Sequence, residues 1–178
     1  MTGDVYERGR AAQELVELGP DALPALDRAL DHPSTDVRES AVRALATMGG
    51  PGAVPLLGKA LADDRSVVRE PAAAALATYG AQALTAFDAA LRSPNHYVRE
   101  DAVDALGGYG PEALPLLRTA LGDHDVRVRR RAVEALGRIG PDAMPLLREV
   151  EEGEDPVLRS EAERVLDRMR GDPQDARA

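Results

Sequence analysis

Gly-Pro, or a close variant of it, recurs at Gly19-Pro20, Gly50-Pro51, Gly80-Ala81, Gly110-Pro111 and Gly140-Pro141, in steps of 31, 30, 30 and 30 residues. An apolar residue followed by Arg keeps the same step, at Val37-Arg38, Val68-Arg69, Val98-Arg99, Val128-Arg129 and Leu158-Arg159, and Arg8 stands one period upstream of Arg38. A period of about 20–50 residues constrains architecture more than any local pattern, because each unit buries its apolar face only by stacking on its neighbours. The 178 residues are therefore expected to form a repeat array, with no division into separate domains.

Within a unit the apolar spacing is helical twice over. Leu23, Leu26 and Leu30 stand at i, i+3 and i+7, as do Leu84, Phe87 and Leu91, which predicts a first helix, A. Val37, Ala41, Val42, Leu45 and Met48 form a second stripe, matched by Val98, Ala102, Val103, Leu106 and Tyr109, which predicts a helix B. Runs such as Asp31-His32-Pro33-Ser34 and Gly122-Asp123-His124-Asp125 are too polar to bury and read as A–B turns. The Gly after each B stripe is expected to cap that helix in the left-handed conformation, and the Pro behind it suits the first turn of the next.

Composition narrows what such an array can do. Cys and Trp are absent and aromatic residues make up 3%, which excludes disulfide scaffolds and cysteine nucleophiles and leaves Leu, Val and Ala to fill the core. A net charge of -9 opposes attraction to phosphate backbones and anionic membranes, so nucleic acid is a disfavoured partner. No run approaches the roughly 20 apolar residues of a membrane span, and the start lacks a basic and apolar leader pattern, so the expected location is the cytoplasm.

The unit Gly-Pro-acid-Ala-Leu-Pro, Leu-Leu, turn, Val-Arg, Ala-Val, Ala-Leu-Gly resembles the HEAT-like repeats of the short bacterial class first recognised in bilin-lyase proteins. The resemblance covers residues 6 to 170 and implies an all-α fold. It implies a right-handed α-solenoid of stacked antiparallel helix pairs, with one half repeat and five full repeats. The units run about 5–19, 20–49, 50–80, 81–110, 111–140 and 141–170 within a single solenoid of residues 1–170. Polar first and last helices serve as caps, and residues 171–178 form a disordered tail. The oligomeric state of this chain is left open, a monomer being the default, and in similar proteins the concave B-helix surface binds partners. In them the repeated Arg pairs with a neighbouring unit, which assigns Arg8, Arg38, Arg69, Arg99, Arg129 and Arg159 to a structural ladder.

Counted from that Arg, positions +1, +5 and +9 fall away from the buried stripe. They place Glu39, Arg43 and Thr47, then Glu70, Ala74 and Thr78, then Glu100, Asp104 and Gly108, then Arg130, Glu134 and Arg138 on the exposed side. The leading reading is a non-catalytic scaffold binding a protein or peptide through Glu39, Arg43, Glu70, Thr78, Glu100, Asp104, Glu134 and Arg138. Merely solvated helix faces would show the same residues. An enzymatic alternative is an accessory lyase or modifying subunit using Asp104 and Glu134 as acid and base near Tyr109. A third is phosphate-backbone binding through Arg127 to Arg138, although a helix is expected to spread the neighbouring Arg127, Arg129, Arg130 and Arg131 around its axis.

No cofactor or metal is assigned. The HEAT-like di-iron hydroxylase carries His-Glu pairs, whereas His32-Pro33, His96-Tyr97 and His124-Asp125 match none and read as turn residues. Gly107 and Gly108 stand in the last turn of a predicted B helix at a cost of about 1 kcal/mol each relative to Ala. They mark either early termination of that helix or a close approach of a ligand beside Tyr79 and Tyr109.

Overall fold

The structure is a computed structural model that describes Arg10 and residues 13–171. Arg8, the start of the half repeat and residues 172–178 lie outside the described residues. Helix α1 comprises Arg10 and residues 13–17 of what is described. The A helices are α2 (Leu23–Leu30), α4 (Ala53–Ala60), α6 (Ala81–Leu91), α8 (Leu114–Leu121) and α10 (Met144–Glu151). The B helices are α3 (Thr35–Met48), α5 (Ser66–Leu76), α7 (His96–Leu106), α9 (Val126–Ile139) and α11 (Pro156–Gly171). No strand occurs among the described residues. Gly171, assigned above to the tail, is instead the last residue of α11.

The helices gather into two compact units, residues 1–93 and 94–178. In the first, α2 packs on α3 and α4 on α5, while α3 meets α5 and α4 meets both α2 and α6. In the second, α8 packs on α9 and α10 on α11, and the B helices α7, α9 and α11 pack in sequence. Each unit thus stacks antiparallel pairs, A on A or B on B, as an α-solenoid does.

The core of each A helix begins one residue earlier than the Leu spacing implies. Ala22, Ala53, Ala83, Ala113 and Ala143 are all buried, whereas Leu23, Leu84 and Leu114 are only half-buried. In three repeats that Ala ends a short 3-10 turn, at Gly19–Ala22, Pro111–Ala113 and Pro141–Ala143, whereas Ala53 and Ala83 lie in the first turn of the α-helix itself. Proline fits both first turns, since the N–H groups it lacks would have no partner there. The B stripe buries Ala41, Val42 and Leu45, then Val98, Ala102, Val103 and Leu106, then Val128, Ala132, Val133 and Leu136.

The repeat glycines close the B helices in a conformation other than the left-handed cap that the sequence suggests. Gly49, Gly80, Gly110 and Gly140 do have positive φ, from 54° to 85°, but ψ lies between -143° and -164°. That region is accessible essentially to glycine alone. The chain therefore leaves each B helix extended and turns sharply into the next A helix.

The A–B turns are held by charge. Arg99 Nε and Nη2 donate to Asp123 Oδ2 at 2.7 Å and Oδ1 at 3.0 Å, with only 2% and 8% of the two side chains exposed. The Asp123 carbonyl in turn accepts from Arg129 Nη1 at 2.9 Å, and Arg129 Nη2 donates to Asp155 Oδ2 at 3.0 Å. In the first unit Arg38 makes the same fork on Asp63, whose carbonyl accepts from Arg69 Nη1 at 2.9 Å. Each aspartate serves two repeats at once. Arg159, in the last repeat, is exposed.

Burial by itself pushes the Asp123 carboxyl up, but hydrogen bonds from Arg99 and from the Asp125 backbone outweigh it and hold the group below its ordinary value. Asp63 is held down in the same way by Arg38 and the Arg65 backbone. A carboxyl lowered in the folded state stabilises the fold above its unfolded value of about 4 and loses that contribution as pH falls through the lowered value. Asp123→Asn should destabilise by about 3 kcal/mol at pH 7 in urea unfolding, the low end for a broken buried pair because Arg99 keeps the Pro94 carbonyl. The variant should also lose less stability than wild type between pH 5 and about pH 2. Gly140→Ala isolates the backbone effect, since a Cβ there meets nothing within 4 Å; a loss of about 1–3 kcal/mol by the same measurement is expected.

Candidate functional site

Helix α9 carries two faces of different chemistry. Its buried stripe repeats that of the other B helices, whereas Arg127, Arg130, Arg131, Glu134 and Arg138 fall at i, i+3, i+4, i+7 and i+11 and share the outer face. Three of the four clustered arginines therefore do form one patch, contrary to the expectation that the helix would scatter them. Arg129 alone turns away, to the aspartate relay.

Asp125 starts the face. Its carboxylate caps α9 by accepting from the Arg127 backbone N–H at 2.9 Å, and it also accepts from Arg127 Nη2 at 2.7 Å and Nε at 3.1 Å. These bonds hold the Asp125 carboxyl far below its ordinary value. They also hold Arg127 6.0 Å from the Tyr97 ring centroid, with Nε 3.7 Å from Glu100 Oε1. Arg131 lies between acids on two helices, with Nε 3.5 Å from Asp104 Oδ2 and Nη1 donating to Glu134 Oε2 at 3.3 Å. Arg138 Nη2 donates to the Asp104 carbonyl at 2.9 Å and to its Oδ1 at 3.2 Å, which satisfies a carbonyl near the end of α7. Arg130 reaches Glu161 on α11 at 3.5 Å, but that buried carboxylate is bonded more closely by Arg164. Glu100, Arg127, Arg130, Arg131 and Glu134 line an open depression of about 260 Å³.

Of the eight residues singled out from sequence, Glu100, Asp104, Glu134 and Arg138 come together here. Arg127, Arg130 and Arg131 complete the face and were not among the eight; their spacing along one helix was the signal that could have included them. Glu39 and Arg43 lie in the first unit and pair with each other at 2.9 Å along α3. Glu70 is exposed on α5, and Thr78 donates its hydroxyl to the Ala75 carbonyl in the 3-10 turn that follows.

Asp104 and Glu134 share Arg131, with side chains 40% and 36% exposed, so neither is withdrawn from water as a site for acid–base chemistry usually is. Burial pushes the Tyr109 phenol up, which keeps it protonated at neutral pH. His32 and His124 lie in A–B turns, whereas His96 opens helix α7 and packs its ring on Tyr97 at 3.9 Å.

Helix α7 stops at Leu106, three residues short of where α9 stops in its own repeat, so the glycine pair coincides with early termination. Gly107 has a second role. A Cβ there would lie 2.5 Å from the Arg138 guanidinium, so the missing side chain is what lets Arg138 lie across α7.

A family model for HEAT repeats matches residues 2–77 and 84–167. The chain belongs to the HEAT-repeat family. Among solved structures this HEAT array is similar to the complex of CpcE and CpcF of phycocyanin lyase from Nostoc, at 26% identity over 95% of this chain and 72% of that one, with a TM-score of 0.50. It is similar in fold to human deoxyhypusine hydroxylase, at 24% identity over 92% of this chain and 68% of that one, with a TM-score of 0.54. A TOG domain of crescerin, described as regulating microtubules in the primary cilium, shares the fold at 21% identity over 92% and 85% of the two chains, with a TM-score of 0.65. No curated protein matches the sequence.

Gly137 occupies the position of Gly107 in the following HEAT repeat, but a Cβ there would lie 2.6 Å from Cγ1 of the buried Val165. The two sites should respond differently to alanine. Gly137→Ala is expected to cost about 1–3 kcal/mol in urea unfolding through overpacking, whereas Gly107→Ala should be near neutral, because only the flexible end of Arg138 must move.

Proposed function

We propose that this HEAT array is a non-catalytic scaffold that binds a protein or peptide segment along the outer face of its B helices. Glu100, Asp104, Glu134 and Arg138 contribute in the second unit, and Glu39, Arg43, Glu70 and Thr78 in the first. The observation that carries this reading is the outer face of α9. Its arginine side chains are 44–52% exposed, their contacts run to acids of α7, α9 and α11, among them the buried Glu161, and Arg127, Arg130 and Arg131 border a depression. The core and the aspartate relay hold the repeats together without them. Side chains in that situation are available to a partner at little expense to the fold. Acids interleave with the arginines and the chain carries a net charge of -9, which weighs against a phosphate backbone as the ligand. No described helix is long and apolar enough to cross a membrane.

The likeness to the phycocyanin lyase complex supports a second reading, an accessory subunit of a modifying enzyme with Asp104 and Glu134 in the groove. Asp104→Asn distinguishes the two: on an identified substrate it should abolish turnover if the second reading holds.

Exchanging the charges of Asp104 and Arg138 together is a poor probe, because the two bond each other and the exchange preserves the pair. Arg130→Glu with Arg131→Glu reverses the least tightly held charges of the face. In affinity capture from a nuclease-treated lysate followed by mass spectrometry, a protein retained by wild type should fall at least tenfold with this variant. Equal recovery by both proteins would defeat the reading.

A further inference from the structure

Two buried side-chain polar atoms lack a hydrogen-bond partner among the described residues, Glu100 Oε1 and His96 Nε2, and both lie on α7, four residues apart. Glu100 is the more telling, because its side chain is only 16% exposed and lines the depression between α7 and α9. A buried carboxylate oxygen without a donor is uncommon in folded proteins and calls for a physical reason. The nearest cation, Arg127, does not supply the bond: Asp125 holds its Nε and Nη2, and the Nε stays 3.7 Å from Glu100. On the opposite wall, Arg130 and Arg131 are held loosely, at 3.3–3.5 Å, by contacts that engage only some of the five N–H donors of each guanidinium.

We propose that this depression is a two-sign subsite for an ampholytic peptide segment, the acidic side chain clasped by Arg130 and Arg131 and a neighbouring basic side chain set against Glu100. The inference rests on the interaction reading above and names the chemistry of its ligand. A guanidinium fork recognises a carboxylate through two parallel hydrogen bonds, for which Arg130 and Arg131 have donors to spare. An ammonium or guanidinium group of the ligand gives Glu100 the donor that Arg127 withholds. A polyanion meets Glu100 and Glu134 in the lining, and a polycation meets the three arginines, so a run of either charge is repelled where a mixed pair is matched. The volume of about 260 Å³ is below the range of small-molecule pockets and suits one or two side chains of a larger partner.

The test is selection of a random dodecapeptide display library on the full chain, on Glu100→Gln, and on Arg130→Gln with Arg131→Gln. Wild type should enrich peptides that carry an acidic and a basic residue within three positions of each other. Glu100→Gln should lose the basic preference and keep the acidic one, and the arginine variant should do the reverse, each with about a tenfold fall in affinity for the selected peptides. Glu100→Gln removes a carboxylate that accepts no hydrogen bond at Oε1 and whose ion pair with Arg127 is long, at 3.7 Å, so its melting temperature should change little; the reciprocal loss in the arginine variant stands independently of that variant. The same enrichment in all three proteins would overturn the subsite and leave the interaction reading standing. No enrichment by wild type would overturn both. A labelled 20-nucleotide single-stranded RNA that binds more tightly than the selected peptides would overturn the mixed-sign ligand in favour of a phosphate backbone.

Discussion

The aspartate at the A–B turn is the joint on which the array depends. Its side chain accepts the arginine fork of the preceding repeat while its carbonyl accepts the arginine of its own, as at Asp123 between Arg99 and Arg129 and at Asp63 between Arg38 and Arg69. Two buried or half-buried charges are costly to take out of water, and a single contact between them would not offset that cost. Spreading the guanidinium donors over the aspartate carboxylate and backbone carbonyls of the turn, Pro94 for Arg99 and His32 and Pro33 for Arg38, does. Because one residue performs both tasks, the pitch from repeat to repeat is fixed at the same place that closes the helical pair. This explains how a core of Ala, Val and Leu, with a single Phe, keeps a defined register: the apolar contacts supply attraction, and the directional bonds supply geometry.

Small residues decide how closely the B helices meet. Gly137 leaves room for Val165, Gly107 leaves room for Arg138, and Gly58 sits against Ala86 between two A helices. The same residue type thus serves packing in one repeat and the outer face in the next. At Gly107 the consequence reaches the candidate site, since Arg138 can lie across α7 and bond the Asp104 backbone only because no Cβ intervenes. The glycine pair is accounted for by helix termination and by an arginine of the same chain.

The period made the fold legible, because Gly-Pro and Val-Arg punctuation states where each helix begins and ends independently of tertiary packing. What escaped was set by local geometry that the period does not encode. The buried Ala of the A helix lies in a 3-10 turn in three repeats and in the first turn of an α-helix at Ala53 and Ala83, a difference the period does not show. The repeat glycines show positive φ, yet their ψ follows from the sharp exit into the next helix. At the site, four arginines close in sequence look scattered when considered as neighbours, whereas Arg127, Arg130 and Arg131 align once the i, i+3, i+4 relation is applied to α9. The pairing of Asp104 with Arg131 and Arg138 joins residues from two helices about one repeat apart, and only the stacking of α7 on α9 brings it about.

The division between the two faces of a B helix has a functional implication that follows from energetics. Where the relay arginine, the Ala-Val stripe and the terminal glycine carry stability, the outer positions can change from Ala74 and Thr78 in one repeat to Glu134 and Arg138 in another without endangering the fold. On α9 those positions are filled mainly with arginines, which pair with acids of the neighbouring helices α7 and α11 and of the α9 cap as well as with Glu134. Such a face has little net field, so it attracts neither polyanions nor polycations at a distance. Its discrimination acts at contact, where a ligand must offer opposite charges at the right spacing to replace the pairs it disrupts. Loose contacts such as Arg130 to Glu161, and a carboxylate such as Glu100, whose Oε1 accepts no hydrogen bond among the described residues, lower what a matched ligand has to displace. They also raise the penalty for a ligand that buries them unmatched.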